Sequence, residues 1–165
     1  MATITQRGNP IETSGELPAV GSEAPNFSLT TTKLQDVSAE AFTGKTVILN
    51  IFPSLDTGVC ATSVRRFNSE VAGKEDVAVL CVSRDLPFAH NRFCTTEGIQ
   101  NVTPLSELRD RKFGADYGLE IQSGSMRGLL ARAVVVVAPD GTVKYTELVP
   151  EITQEPNYAA ALAAV

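Results

Sequence analysis

The chain lacks a long apolar run, and its charge is not basic. No apolar stretch in its 165 residues approaches the roughly 20 residues that a membrane-spanning helix needs, so no transmembrane helix is predicted. The N-terminal residues 1–10 are polar and lack the charged-then-apolar pattern of a secretion signal. We therefore expect a cytoplasmic location. The formal net charge of −5 argues against binding to nucleic acid or to an anionic membrane surface.

Cysteine and histidine are scarce. The three cysteines are too few for a disulfide scaffold, and no two of them form a Cys-x-x-Cys pair. The residues that could form a zinc site are Cys60, Cys81, His90 and Cys94. Their spacings of 21, 9 and 4 residues match no common structural zinc pattern. We expect His90 at the surface and not on a metal. Neither a Gly-x-Gly-x-x-Gly sequence nor a P-loop is present. The sequence therefore predicts no metal, nucleotide or other cofactor.

The remaining pattern predicts one α/β domain over residues 1–165, a length that supports a sizeable core. A hairpin of strands 3–6 and 11–13 opens the chain. The later predicted strands are 26–30, 46–52, 76–83, 133–138 and 142–148, and the predicted helices begin near Ser38, Thr57, Asp85, Leu108 and Pro156. This order favours a mixed central β-sheet flanked by helices, with an antiparallel edge pair.

The helix after residue 85 has its own predicted details. Asp85 is placed to cap it, and Pro87 falls in its first turn, where proline is tolerated. Leu86, Ala89 and Phe93 would form its apolar stripe, and Gly98 would end it.

The run PSLDTGVC, residues 53–60, joins a predicted buried strand to a predicted amphipathic helix. Thr57 is a good capping residue, which places Cys60 in the first helical turn. N–H groups there lack helical partners and the positive end of the helix dipole is near, so a thiol ionises more readily. Asp56 opposes this, because a negative neighbour disfavours a thiolate. We interpret Cys60 as a nucleophile that needs a cationic partner, and not as an ordinary buried cysteine.

Three further residues have two interpretations each. Thr57 can cap the helix, and its hydroxyl can also bond the thiolate or a substrate. Pro53 either terminates the strand or forms a rigid wall that shields the thiol. Arg132 lies at the edge of an apolar strand, where it is either the cationic partner of Cys60 or a surface arginine. Arg65 and Arg66 are expected on the solvated face of the helix.

The other two cysteines differ in their surroundings. Cys94 lies near the end of the next predicted helix, as either a resolving thiol for oxidised Cys60 or a buried helical residue. A disulfide requires Cα atoms within about 4.4–6.8 Å, closer than two helices on one sheet usually hold them. Local unwinding would therefore accompany a bond between Cys60 and Cys94. Cys81 lies inside an apolar strand, where we expect an inert core residue.

These residues carry a family resemblance. Pro53, Thr57 and Cys60 match the Pro-x-x-x-Thr-x-x-Cys signature of peroxiredoxins. The chain is similar over nearly its whole length to the bacterial thiol peroxidase branch, the atypical two-cysteine type. The similarity is carried by the runs FPSLDTGVCATSVRRFN, SRDLPFAHNRFC, ARAVVVV and EITQEPNYAAAL. Ala61-Thr62 stands where several other branches have Pro-Thr, which supports this branch.

The resemblance implies a thioredoxin-like fold with an N-terminal β-hairpin. It implies that Cys60 is the peroxidatic cysteine and that Cys94 resolves it in an intrachain Cys60–Cys94 disulfide. It assigns Pro53, Thr57 and Arg132 to the rest of the catalytic pocket. It also implies a homodimer that reduces hydroperoxides in antioxidant defence, is recycled by thioredoxin, and needs no metal, flavin or haem. An apolar lining from Leu55, Val59 and Leu86 favours alkyl or lipid hydroperoxides.

Two rival functions remain open on the sequence. A thioredoxin-like disulfide exchanger would use the same helix-start cysteine, but such proteins usually carry Cys-x-x-Cys, which is absent. A non-catalytic redox sensor or metal-binding module would use the cysteines without rapid turnover. Comparison of rates with peroxide and with a protein disulfide, together with metal analysis, separates these functions.

Overall fold

A seven-stranded sheet and a separate two-stranded hairpin form the framework of the chain. The computed structural model describes residues 1–165. In chain order the strands are β1 Thr3–Gln6, β2 Asn9–Glu12, β3 Ser28–Thr31, β4 Asp36–Ser38, β5 Thr46–Ile51, β6 Val77–Ser83, β7 Thr103–Ser106, β8 Ala133–Val137 and β9 Val143–Leu148. The helices are α1 Gly58–Glu70, α2 Pro87–Glu97, α3 Lys112–Asp116 and α4 Tyr158–Ala163, with a 3₁₀ turn at Ala39–Phe42. None of these helices has the length and apolar character needed to cross a bilayer.

The order of strands in the large sheet is β4-β3-β7-β6-β5-β8-β9. Strands β5, β6 and β7 run parallel, and the other neighbours pair antiparallel. Helices α1 and α2 connect the parallel strands, as parallel pairing requires. The predicted mixed sheet, flanking helices, antiparallel edge pair and N-terminal hairpin are confirmed.

Alternate residues of the central strands fill two apolar cores, one on each face of the sheet. On β5, Leu49 and Ile51 belong to the first core, whereas Ile48 belongs to the second. Strand β8 is buried at every residue, as a β-branched strand covered on both faces would be. Helix α1 packs Phe67 into the second core, which also contains Cys60. The first turn of α1 is therefore fixed against the sheet.

The N-terminal hairpin has a tighter turn than predicted. Strand β2 begins at Asn9, whereas the sequence predicts a second strand at 11–13. Only Arg7 and Gly8 form the turn, with φ angles of 50° and 81°. Two residues with positive φ match the twist of the flanking strands, which explains the early start of β2.

Two short strands were not predicted. Strands β4 and β7 have three and four residues, and β7 contains Pro104, which pairs with Cys81 of β6. Proline cannot donate to a ladder, so a short run containing it is typical of a loop. Pairing with β6 on one side and β3 on the other determines this strand.

The start of α2 differs from the prediction. The capping position is Leu86, without a side-chain capping bond, so the predicted Asp85 cap is wrong. Leu86 is 53% exposed and does not belong to the predicted apolar stripe, whereas Phe93 packs against the second core as predicted. The Asp85 carboxylate instead accepts from Ser54 Oγ at 2.7 Å and from Leu55 N at 2.8 Å. Pro87 does occupy the first turn. Asp85 is thus used to hold the loop before α1.

His90 lies in the core, so its predicted surface position is wrong. It is 0% exposed, and its Nε2 lies 3.1 Å from Ser83 Oγ. The Ser83 hydroxyl donates its single proton to Asp85 Oδ2 at 2.6 Å, so Nε2 of His90 is the donor to Ser83. Nδ1 has no partner. Burial lowers the pKa of His90 to about 4, against a smaller opposing effect of Asp85.

The burial of His90 predicts an acid-sensitive fold. The unfolded chain binds a proton near pH 6.5, whereas the folded chain does so only near pH 4, so stability falls as the pH drops through this window. Between pH 7 and pH 5, wild type should lose on the order of 2 kcal/mol of unfolding free energy more than His90→Gln. Urea unfolding at both pH values measures the difference, and parallel losses in the two proteins would contradict it.

Candidate active site at the start of α1

Cys60 lies where the central sheet meets α1. After β5, Phe52 and Pro53 are buried, a short loop follows, and α1 begins at Gly58. The first helical hydrogen bond runs from Ala61 N to the Thr57 carbonyl at 3.0 Å. The backbone N–H of Cys60 therefore has no helical acceptor, and it lies at the positive end of the helix. Cys60 is a free thiol with 0% exposure.

Arg132 is buried beside this thiol. It is 2% exposed, and its Nη2 lies 3.4 Å from Cys60 Sγ. The alternative of a surface position is therefore wrong. Arg132 immediately precedes the apolar strand β8, which pairs with β5 and so brings the guanidinium to the end of β5 where α1 begins. A cation at hydrogen-bond distance stabilises an anion at the sulfur.

The guanidinium is held by one backbone carbonyl. Arg132 Nε and Nη2 donate to the Ile152 oxygen at 3.0 and 2.9 Å. Nη1 has no partner. No carboxylate forms an ion pair with Arg132, because its side-chain contacts are the carbonyl and the sulfur. The site thus contains a buried cation with one donor group still free.

Thr57 occupies the capping position by its backbone alone. Its φ and ψ of −106° and 145° are those of an N-cap, but its side chain makes no capping bond, so the predicted hydroxyl cap is wrong. Thr57 Oγ1 instead donates to the Ser54 carbonyl at 3.0 Å. No hydrogen bond joins Thr57 to Cys60, and Thr57 is exposed. The hydroxyl stabilises the turn between Ser54 and Thr57.

Pro53 and the loop after it are held by burial and by the carboxylate of Asp85. Pro53 is buried, and Leu55 is 4% exposed in the second core. The Asp85 carboxylate accepts from Ser54 and Leu55, as described above, and so anchors the loop to the start of α2. The buried position of Pro53 is compatible with a wall beside the thiol.

The two remaining cysteines occupy different environments. Cys81 is 1% exposed in β6, in the core as predicted, and burial raises its pKa to about 12 against an opposing hydrogen bond from Asn50. Cys94 is half-buried on α2, and burial raises its pKa. Both are free thiols, so the structure contains no Cys60–Cys94 disulfide. No three His, Cys, Asp or Glu side chains lie together in a way that could hold a metal ion.

Surface ion pairs connect the segment around Cys60 to the helix of Cys94. Arg65 of α1 contacts Glu97 of α2 at 2.6 Å, and Arg92 of α2 contacts Asp56 at 3.0 Å. The side chain of Arg65 is 47% exposed, on the solvated face as predicted. Exposed pairs of this kind are screened by water and contribute little to stability.

The sequence does not indicate two parts of the site. The Ile152 carbonyl that holds Arg132 is a backbone group, so no residue type marks it. Asp85 follows a strand and precedes Pro87, a pattern typical of a helix cap, and only the fold reveals its contact with the loop at Ser54.

Comparison with known proteins places this chain in a family. The model of the Redoxin family matches residues 19–162. A thiol peroxidase of Mycobacterium tuberculosis H37Rv is 63% identical over 165 residues, covering 100% of this chain and 99% of that protein. A thiol peroxidase of Corynebacterium glutamicum is 54% identical, with the same coverage of 100% and 99%.

Solved structures agree in fold. A peroxiredoxin-like protein from Aquifex aeolicus matches with a TM-score of 0.93 and 42% identity, over 99% of this chain and 95% of that chain. A thiol peroxidase from Chromobacterium violaceum has a TM-score of 0.90 at 20% identity, over 98% and 93% of the two chains, which shows a shared fold. The structure has the thioredoxin-like fold of the peroxiredoxins, as predicted, and one relative is 63% identical over the full chain. The chain therefore belongs to the Redoxin family and is an enzyme of the thiol peroxidase type.

Proposed function

We propose that this chain reduces hydrogen peroxide and organic hydroperoxides with Cys60 as the attacking thiolate. The observation that carries the proposal is the buried Arg132 guanidinium 3.4 Å from Cys60 Sγ. This contact lies at the N-terminus of α1, where no side chain caps the helix. A cation and unpaired N–H groups fixed around one sulfur favour its ionised form and leave donors for an incoming oxygen.

The first step is an attack on one peroxide oxygen. A new S–O bond forms as the O–O bond breaks, the sulfur is oxidised to a sulfenic acid, and the other oxygen leaves as hydroxide or alkoxide and takes up a proton. Negative charge moves from the sulfur to the leaving oxygen. Arg132 and the N–H of Cys60 are suited to stabilise that charge, since Arg132 Nη1 has no protein partner. Thr57 and Pro53 complete the proposed pocket.

The second step is resolution by Cys94. Its sulfur attacks the sulfenic acid, a Cys60–Cys94 disulfide forms, and water leaves. An external dithiol then reduces the disulfide by exchange, and the family resemblance makes thioredoxin the proposed reductant. Because Cys60 is fully buried, the two sulfurs meet only if a helix unwinds locally. The exposed ion pairs between the two segments offer little resistance to this.

The setting of the enzyme is proposed on the same resemblance. We place it in the cytoplasm as a homodimer of single-domain chains, in antioxidant defence and redox homeostasis. Val59 precedes Cys60 in the chain and is our candidate for apolar contact with an alkyl or lipid hydroperoxide, whereas Leu55 is 4% exposed and packs in the second core. Leu86 and Phe88, which are 53% and 65% exposed at the start of α2, are further apolar groups at the surface.

Replacement of Cys60 tests the attacking group. Cys60→Ser should abolish peroxide turnover, because the serine hydroxyl is not ionised near neutral pH. Cys81→Ser is the matched control and should keep nearly the full rate. Intact mass, free-thiol counts and peptide mapping after one equivalent of hydroperoxide give the readout. Loss of the Cys60 and Cys94 thiols with Cys81 still free is expected in wild type, and peroxidase activity in Cys60→Ser would contradict the proposal.

Replacement of Cys94 tests the resolving group. Cys94→Ser should consume one peroxide per chain, accumulate a sulfenic acid on Cys60, and then stop, because no thiol completes the cycle. Coupled turnover with thioredoxin and mass detection of the trapped sulfenic acid measure both effects. Normal cycling in Cys94→Ser would show that another thiol resolves Cys60.

Replacement of Arg132 tests the cationic partner. Arg132→Ala should slow the reaction of Cys60 with peroxide by on the order of 100-fold, since it removes a fixed donor from the transition state. Arg132→Lys should recover part of the rate, because it keeps the charge and loses the forked geometry. Arg109→Ala is the control, since Arg109 contacts Asp36 at the surface. Stopped-flow oxidation measures the rates, and a wild-type rate in Arg132→Ala would remove it from the mechanism.

A disulfide exchanger is the second candidate, because a thiol at the start of a helix also suits that chemistry. Its signature would be faster reaction with a protein disulfide than with peroxide. The absence of Cys-x-x-Cys makes this the weaker candidate.

A further inference from the structure

The oxygen that holds Arg132 belongs to a turn at residues 150–153, which we call the carbonyl turn. Ile152 supplies the acceptor for two guanidinium nitrogens. The backbone of Arg132 is bonded to the residue just before this turn, because Val149 N donates to the Arg132 carbonyl at 3.0 Å. The position of the guanidinium therefore depends on where the carbonyl turn lies.

The N-terminal hairpin fixes the carbonyl turn from the other side. Thr5 N donates to the Pro150 carbonyl at 2.8 Å, and Ile152 N donates to the Thr5 carbonyl at 2.9 Å. The carbonyl oxygen of Ile152 thus accepts hydrogen bonds from Arg132, and its backbone N–H donates to the hairpin. Its side chain is 2% exposed in the first core, which excludes free rotation of the turn.

Both carboxylate oxygens of Glu151 accept hydrogen bonds where the carbonyl turn meets the hairpin. Oε1 accepts from Thr5 Oγ1 at 3.0 Å and from Gly8 N at 2.9 Å. Oε2 accepts from Thr153 N at 3.0 Å and from Thr153 Oγ1 at 2.7 Å. These bonds, first those from the backbone of Thr153 and Gly8, lower the pKa of Glu151 to about 2. The carboxylate is therefore ionised and fully used as an acceptor near neutral pH.

We infer that Glu151 is a positioning residue for the reactive thiol: it locks the carbonyl turn to the hairpin, and the Ile152 oxygen then sets the guanidinium of Arg132 against Cys60. The inference rests on the proposed role of Arg132 and adds a function for the hairpin, whose first strand is remote from Cys60 in sequence. Neither Glu151 nor Thr5 touches the sulfur. Their effect passes through one backbone oxygen.

The geometry explains why a small shift matters. Arg132 has no carboxylate to retain it, and Nη1 is already unpaired. If the Ile152 oxygen moved, the hydrogen bonds that it accepts from Nε and Nη2 of Arg132 would weaken. Nη2 would then no longer be directed at the sulfur. A displacement of about 1 Å in a positioned group can lower a rate by on the order of 100-fold.

Glu151→Gln tests the inference, because it keeps the shape and loses the charge and half of the acceptors. We expect the reaction of Cys60 with hydrogen peroxide, and its alkylation by iodoacetamide, to slow by on the order of tenfold. Glu12→Gln is the matched control, since Glu12 is an exposed residue of the same hairpin. In an Arg132→Ala background, Glu151→Gln should have no further effect on either rate.

The outcomes separate positioning from general damage. A wild-type rate in folded Glu151→Gln would overturn the inference, and so would an equal slowing with and without Arg132. If Glu151→Gln does not fold, Thr5→Val removes the contacts of the Thr5 hydroxyl with the Glu151 carboxylate and the Pro150 carbonyl, and it is carried through the same double-mutant cycle. If wild-type Cys60 does not react with peroxide, the proposed function fails, and the alkylation rates still decide whether Glu151 acts through Arg132.

Discussion

The contact between the buried guanidinium of Arg132 and the sulfur of Cys60 is the interaction on which the rest of the site depends. A buried cation is strongly disfavoured unless an anion or sufficient hydrogen bonds compensate it. Here a single neutral carbonyl, that of Ile152, accepts from two of its nitrogens. The Cys60 sulfur at 3.4 Å is the other group that Arg132 contacts. In the proposed reaction the thiolate of Cys60 is the attacking form, and it would supply the negative charge that this cation otherwise lacks.

A second buried arginine shows the difference between a structural and a chemical role. Arg84, with only 10% of its side chain exposed, pairs with Glu107 at 2.5 Å and with Glu120 at 2.6 Å. Burial raises the pKa of Glu107, and Arg84 opposes that effect. The charge of Arg84 is thus compensated within the protein, and the cluster ties the end of β6 to β7 and to the loop before Arg132. Arg132 has no such carboxylates, so its charge remains available to the thiol.

The parts of this site that are local in sequence could be predicted, and the parts created by long-range contact could not. The local pattern is sufficient to predict Cys60 at the start of a helix, because an apolar strand is followed by the capping residue Thr57 and then by Cys60. Arg132 was ambiguous, because its burial depends on the pairing of β8 with β5. The sequence predicts a surface position for His90, because a single polar residue on a short helix gives no indication of its contact with the Ser83 hydroxyl. The Ile152 carbonyl could not be predicted, since every residue has one.

The distribution of burial along the two cysteine-bearing helices indicates which of them yields if Cys94 is to reach Cys60. Helix α1 buries five residues, from Cys60 to Phe67, whereas α2 buries only Pro87 and His90, both in its first half. The half of α2 that contains Cys94 has no fully buried residue: Phe93 packs against the second core while only half-buried, and Glu97 contacts Arg65 at the surface. Regions with few buried apolar contacts open at the lowest free energy. Unwinding of the C-terminal half of α2 would release Phe93 but would leave the buried residues of α1 and the Arg132 contact in place, so the site could be restored once the disulfide is reduced.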